Sequence, residues 1–129
     1  MPLVRFDAVA GRSQDEVQRL LDAAHRALLT AFKVPPRDRY QIYHEHPTSH
    51  LVVQDSGLGI EHTRDVVVVT VTTRPRRQED KLLFYQALCR ELEESCRIQS
   101  SDVVVSIVTN TDADWSFGLG RAQFVTGEL

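Results

Sequence analysis

Cysteine is scarce in this chain. Cys89 and Cys96 are its only two among 129 residues. They fall seven positions apart in a helical pattern, roughly 10 Å along the axis at 1.5 Å per residue, whereas a disulfide needs Cα atoms within about 7 Å. Two thiolates are also too few for a structural zinc site, so both read as buried thiols. Charge of one sign is not in surplus either. The formal net charge is −3, and neither nucleic acid nor an anionic membrane is expected as a partner, since each calls for a basic surface. No apolar run approaches the roughly 20 residues of a membrane span. The opening Met1-Pro2-Leu3-Val4-Arg5-Phe6-Asp7 lacks the basic start and long apolar stretch of a secretion signal, which makes the cytoplasm the expected compartment. Gly57-Leu58-Gly59 and Gly118-Leu119-Gly120 do not open a helix after a strand, and a dinucleotide fingerprint is thereby excluded.

What is present is periodic. Residues 2–9 alternate, with Val4, Phe6 and Ala8 on one side and Leu3, Arg5 and Asp7 on the other, as a strand does. Gly11 breaks the pattern, and Ser13 with Glu16 forms a capping box. Val17, Leu20, Leu21, Ala24, Leu28, Leu29 and Phe32 then recur at helical spacing, until Pro35-Pro36 ends the helix. Tyr40 to His46 reads as a strand. Residues 47–64 form a long connection, with room for a short hairpin at Leu51-Val52-Val53. Val66 to Thr73 is a strand whose four consecutive valines suggest burial on both faces. Gln78 to Cys96 is a second helix, and Val103 to Val108 a further strand. Residues 112–129 hold two close glycines and several aromatics, and read as a turn with short hairpin elements.

The order strand–helix–strand thus occurs twice, in about 2–46 and 65–109, at an offset of about 64 residues. Leu3 falls on Val67, Phe32 on Cys96 and Asp38 on Asp102. A duplicated β-α-β unit is the economical reading, each with a right-handed crossover. The expected fold is α/β (α+β): a single domain over 1–129, one mixed sheet with both helices on one face, and a symmetric oligomer to cover the other face.

A proline directly after Met1, opening a strand in a duplicated β-α-β chain, resembles the tautomerase superfamily. Within it, Pro35-Pro36-Arg37-Asp38-Arg39-Tyr40, Arg74-Pro75-Arg76, and Asp112-Ala113-Asp114-Trp115-Ser116-Phe117-Gly118 with Phe124 and Leu129 resemble the malonate semialdehyde decarboxylase family most closely. The resemblance covers essentially the whole chain. It implies removal of Met1, a homotrimer, no metal or organic cofactor, and loss of carbon dioxide from the 3-oxo acid malonate semialdehyde to give acetaldehyde, with hydratase activity at the same site. It also implies Pro2 as catalytic acid, Asp38 as its carboxylate partner, Arg74 and Arg76 as a substrate-carboxylate clamp, and Trp115, Phe117, Phe124 and Leu129 as an apolar wall. Arg77 directly follows Arg76 and competes with it for the clamp; Arg76 is the choice here.

The chemistry asks for these residue types. Carbon dioxide leaves behind an electron pair that flows to the aldehyde oxygen, and a positive charge beside that oxygen stabilises the transition state. An α-amine titrates at about 7.7–8.0, so its surroundings set its state; a nearby carboxylate favours the cation. A neutral Pro2 would instead act as a base, in keto–enol tautomerisation of a 2-oxo acid such as a phenylpyruvate-like substrate. A carboxylate able to activate water, with Asp112, Asp114 and Glu128 as candidates, would make a hydratase or dehalogenase of unsaturated acids. A non-enzymatic binding trimer is the alternative from another class. His44 and His46 point to one side of a strand and form half of a metal site, but no third ligand stands at a suitable spacing, and no metal is expected. His25, His50 and His62 are expected at the surface.

Overall fold

The computed structural model describes residues 2–129; Met1, and with it the expected removal of that residue, lies outside the described residues. Strand β1 (Leu3–Val9) leads into helix α1 (Gln14–Phe32) and strand β2 (Tyr40–His46). Strand β3 (Val67–Thr73) leads into helix α2 (Gln78–Cys96) and strand β4 (Val103–Thr109). The four strands make one mixed sheet in the order β2-β1-β3-β4. Each unit contributes a parallel pair, and β1 joins β3 antiparallel at the centre.

The helix starts and stops follow from local chemistry. At α1, the Glu16 N–H donates to Ser13 Oγ at 3.2 Å while the Ser13 N–H donates to Glu16 Oε1 at 2.9 Å, which satisfies two of the donors a helix leaves open at its start. Both helices end on a residue in the left-handed region, Lys33 (φ 53°) and Arg97 (φ 57°). These positions are usually glycine; here each N–H returns to a carbonyl of the last turn, Leu29 and Glu93 respectively.

Both helices pack on one face of the sheet. Phe6, Leu20, Leu28, Val67, Val69, Val71, Phe84, Leu88 and Leu92 fill the space between, each at most 2% exposed. Fully burying one such side chain stabilises the fold by about 1.5–3 kcal/mol. The opposite face carries Leu3, Arg5 and Asp7 of β1 beside Tyr40, Ile42 and His44 of β2, and remains open in the single chain, with Tyr40 at 41% and Ile42 at 45% exposed.

Five expectations change. The valine run of β3 alternates between buried and half-buried positions, because only one sheet face is covered by helices. Residues 112–129 contain no hairpin: they form a short turn (Asp112–Asp114) and one helical turn (Gln123–Thr126), since their aromatics gather into a cluster and do not alternate along a strand. The connection 47–64 likewise carries only the single turn Thr48–His50. His25 is buried, 7% exposed, with Nε2 at 2.8 Å from the Pro36 carbonyl, a partner that the helix end brings back over it. Cys89 and Cys96 are free thiols, as expected, but half-buried.

Candidate functional site

The antiparallel register sets Leu3 against Thr72, and continuing it by one residue places Pro2 across from Thr73. Both are fully buried. The end of β3 and the turn into α2 therefore lie beside the start of β1. Arg74, Pro75 and Arg76 form that turn, with a proline where a strand residue would need an N–H to donate.

The two arginines are held differently. Arg74 Nη1 donates to Asp112 Oδ1 at 3.0 Å, and its guanidinium carbon sits 3.7 Å from the Phe124 ring centroid, within cation–π range. Its Nε is buried and meets no acceptor among the described residues. A buried N–H left in that state is costly, so this position favours an incoming oxygen. Arg76 Nε donates to Thr73 Oγ1 at 3.1 Å, and its guanidinium lies 4.9 Å from the Phe32 centroid. Burial, and then the neighbouring Arg74 charge, push the Arg76 pKa down; Asp38 and Asp80 oppose the shift. Two guanidinium groups kept close in a partly dry place are complementary to an anion.

Arg77 points elsewhere. As the cap of α2 it is bound by the acids of the first turn, at 2.8 Å from Glu79 Oε1 and 3.0 Å from Asp80 Oδ2, with 70% of its side chain exposed. Asp38 occupies the turn between α1 and β2, where its N–H donates to the Pro35 carbonyl at 2.9 Å. It is 7% exposed, and its charge reaches Arg76.

The aromatics assemble from the C-terminal segment. Trp115 stacks on Phe117 at 5.4 Å between centroids, Phe124 meets Phe117 edge-on at 5.5 Å, and Tyr40 closes on Phe117 from β2 at 5.6 Å. Trp115 is fixed by its indole N–H donating to Asn110 Oδ1 at 2.7 Å. Phe124, through its contact with Arg74, joins this cluster to the arginines. Leu129 does not join it in the single chain: it is 59% exposed, and its N–H donates to the Gln123 carbonyl.

Phe32, Tyr40 and Thr73 escaped the sequence reading. Phe32 continues an ordinary apolar helical stripe and meets Arg76 from the end of α1; Thr73 and Tyr40 sit in ordinary strands that only the pairing of β1 with both its neighbours brings here. Asp112, considered above for activating water, is engaged by Arg74. Asp114 accepts from the Thr111 N–H and hydroxyl, and Glu128 pairs with Arg121 at 3.1 Å.

A separate group lies on the open sheet face. His44 and His46 do share a side of β2, and the third donor is Asp7 of β1, which pairs with His44 in register. One ligand atom from each lies within 4.8 Å of the others. Sequence spacing looks along the chain and not across strands, which is why Asp7 was missed.

A family model described as "Tautomerase enzyme" matches residues 38–118, and a second of the same description matches residues 2–60. The probable tautomerase YrdN of Bacillus subtilis (strain 168) is 53% identical over 129 residues, the whole of both chains. A solved structure of malonate semialdehyde decarboxylase, described with its decarboxylase and hydratase activities, is 48% identical with a TM-score of 0.96, covering 98% of each chain. Another, of FG41 malonate semialdehyde decarboxylase inhibited by 3-bromopropiolate, is 38% identical with a TM-score of 0.93, covering 98% of this chain and 97% of that one.

Proposed function

The chain belongs to the tautomerase family, and from that premise we propose that it decarboxylates malonate semialdehyde to acetaldehyde and carbon dioxide, using the amine of Pro2 after removal of Met1. The observation that carries this reading is the crowded pair Arg74 and Arg76 beside Pro2, with a buried Arg74 Nε that meets no acceptor among the described residues. The likeness to the solved decarboxylases supports it.

In this mechanism the arginines grip the substrate carboxylate and hold its C–C bond in line with the carbonyl π system. Asp38 favours the protonated form of Pro2. The bond to the carboxylate carbon breaks, and its electron pair moves into an enolate whose oxygen is stabilised by the Pro2 N–H. Taking up one proton at carbon then gives acetaldehyde, so carbon, charge and protons balance. Condensation of a neutral Pro2 with the aldehyde to an iminium is a second route to the same electron sink. Trp115, Phe117 and Phe124 form the apolar wall, with Leu129 as the fourth member through its place in the family's pattern. The acids that would activate water, Asp112, Asp114 and Glu128, are each engaged in a pair or turn, which favours decarboxylation over hydration as the main activity. A homotrimer would cover the open face bearing Tyr40, Ile42 and Val108.

The protein with Met1 removed, incubated with malonate semialdehyde, is expected to release acetaldehyde; no release above the Pro2→Ala level overturns the proposal. The second reading, keto–enol tautomerisation of a 2-oxo acid, is favoured by the likeness to the probable tautomerase. Titration of the Pro2 nitrogen by NMR separates the two. A midpoint well above neutrality supports the acid, and one below neutrality supports the base.

A further inference from the structure

We propose that Asp7, His44 and His46 form a divalent transition-metal site of the zinc class on the open face of the sheet, separate from the Pro2 site. Three donors of suitable chemistry converge there from two paired strands. His46 Nε2 lies 2.6 Å and His44 Nδ1 3.9 Å from the same oxygen, Asp7 Oδ1, and the two rings are 4.4 Å apart between centroids. A tetrahedral ion with bonds of about 2.0–2.1 Å sets its ligands ~3.3 Å apart, a value between these two separations. Small rotamer adjustments, together with release of the His46 Nε2 proton that now donates to Asp7 Oδ1, would close the site. Two imidazoles and one carboxylate leave a fourth position for water, and this donor set suits Zn2+ and its neighbours in the first transition row.

The acceptors of this group already face one cation, the Arg5 guanidinium. Arg5 Nη2 is 2.8 Å from His44 Nδ1, and Arg5 Nε is 3.2 Å from Asp7 Oδ2. A guanidinium only donates, so His44 Nδ1 accepts from Arg5 Nη2 and the proton of the neutral ring sits on Nε2. Arg5 thus acts as a resident cation that an incoming ion must displace. In the single chain Arg5 is the more exposed partner, at 46% of its side chain, whereas Asp7 and His46 are each about one-fifth exposed. The group lies about five residues along the strands from Pro2, roughly 16 Å at 3.3 Å per residue. The ion's role is therefore to tie β1 to the edge strand β2, away from the chemistry.

The test uses the full chain stripped with a chelator and titrated with Zn2+ by calorimetry and with Co2+ by visible absorption. One ion per chain is expected, with the intense d–d bands of four-coordinate cobalt. His46→Ala and His44→Ala are each expected to weaken binding at least about 100-fold, beyond the loss that supporting residues around a metal usually cause. Arg5→Ala is expected to tighten it. Zn2+ should raise the melting temperature of the wild type and leave that of His44→Ala, a half-exposed position that preserves the fold, unmoved. Equal binding by wild type and His44→Ala would assign the ion to His50 or His62 and overturn the proposal. So would failure of both wild type and Arg5→Ala to bind.

Discussion

The two β-α-β units are built alike and used differently. Each has a strand of seven residues, a helix of nineteen and a closing strand of seven, and each buries an acid just before its closing strand, Asp38 at 7% and Asp102 at 0% exposed. In the second unit that acid is a structural anchor. The Asp102 carboxylate accepts from the Thr63 N–H at 2.6 Å, from the Thr63 hydroxyl and from Gln99 Nε2 at 3.2 Å. In the first unit the position of Gln99 is taken by Pro35, and the charge of Asp38 reaches Arg76. Pro2 corresponds to Val66, whose nitrogen is an amide donating to the Thr63 carbonyl. Arg76 corresponds to Arg12, which donates to the Asp65 carbonyl at 2.9 Å. A duplicated frame thus carries an acid and an arginine at both ends of the sheet, and the hydrogen bonds that Asp102 accepts make its end structural. In the proposal above, the other end meets the Pro2 amine and a substrate anion.

Substitutions at matched positions would break or sharpen this contrast. The largest effect is expected at Pro2: Pro2→Gly or Pro2→Ala should lower kcat for acetaldehyde release by about 10²–10⁴-fold, the usual span for a positioned proton donor, with little change in melting temperature. Arg76→Ala should come next, raising KM and lowering kcat/KM by about 100-fold, or ~2.7 kcal/mol of lost transition-state binding. Arg12→Ala, its counterpart, should leave steady-state kinetics unchanged.

The paired acids should separate activity from stability. Asp38→Asn is expected to reduce kcat with the urea midpoint nearly fixed. Asp102→Ala is expected to lower unfolding free energy by about 3 kcal/mol, since it strands three donors that now meet a carboxylate, while the folded fraction keeps its kcat. If both substitutions instead act alike on kcat, the division of labour fails.

Acid should expose the same anchor. Burial pushes the Asp102 carboxyl up, but the Thr63 and Gln99 hydrogen bonds outweigh it and its pKa is lowered. A depressed folded value means that stability is present above the unfolded value of about 3.9 and is lost as pH falls through the folded one. Denaturation curves at pH 7, 4 and 3 should therefore fall more steeply for wild type than for Asp102→Asn. The smallest effect belongs to Arg77→Ala: its ion pairs are exposed and screened by solvent, so the melting temperature should barely shift and neither KM nor kcat should move.

Much of this was legible in the residues because it depends on local period and caps. The capping box at Ser13 and Glu16, the span Gln78–Cys96, and the doubled order of elements all follow from spacing. What spacing does not carry is which strands become neighbours. The central β1–β3 pairing brings Thr73 opposite Pro2, and the β1–β2 register puts Asp7 beside His44 and Tyr40 beside Leu3. The tail was misread because Trp115, Phe117 and Phe124 pack on one another and on Arg74, giving no alternation to detect. That the acids of α2 hold Arg77 is a local competition visible only once the cap was placed.

The antiparallel seam between β1 and β3 also decides how the proposed site is supplied: the amine from the first unit, the guanidinium pair from the second. Two unjoined copies of such a unit would have to collide before either had a complete site, and dilution would dissolve it. Joining them in one chain replaces the collision with a tether whose effective concentration is about millimolar. The tether also frees each unit from having to resemble the other, since a change in one is no longer copied into both. Val66 and Asp102 are what that freedom looks like on the side released from chemistry.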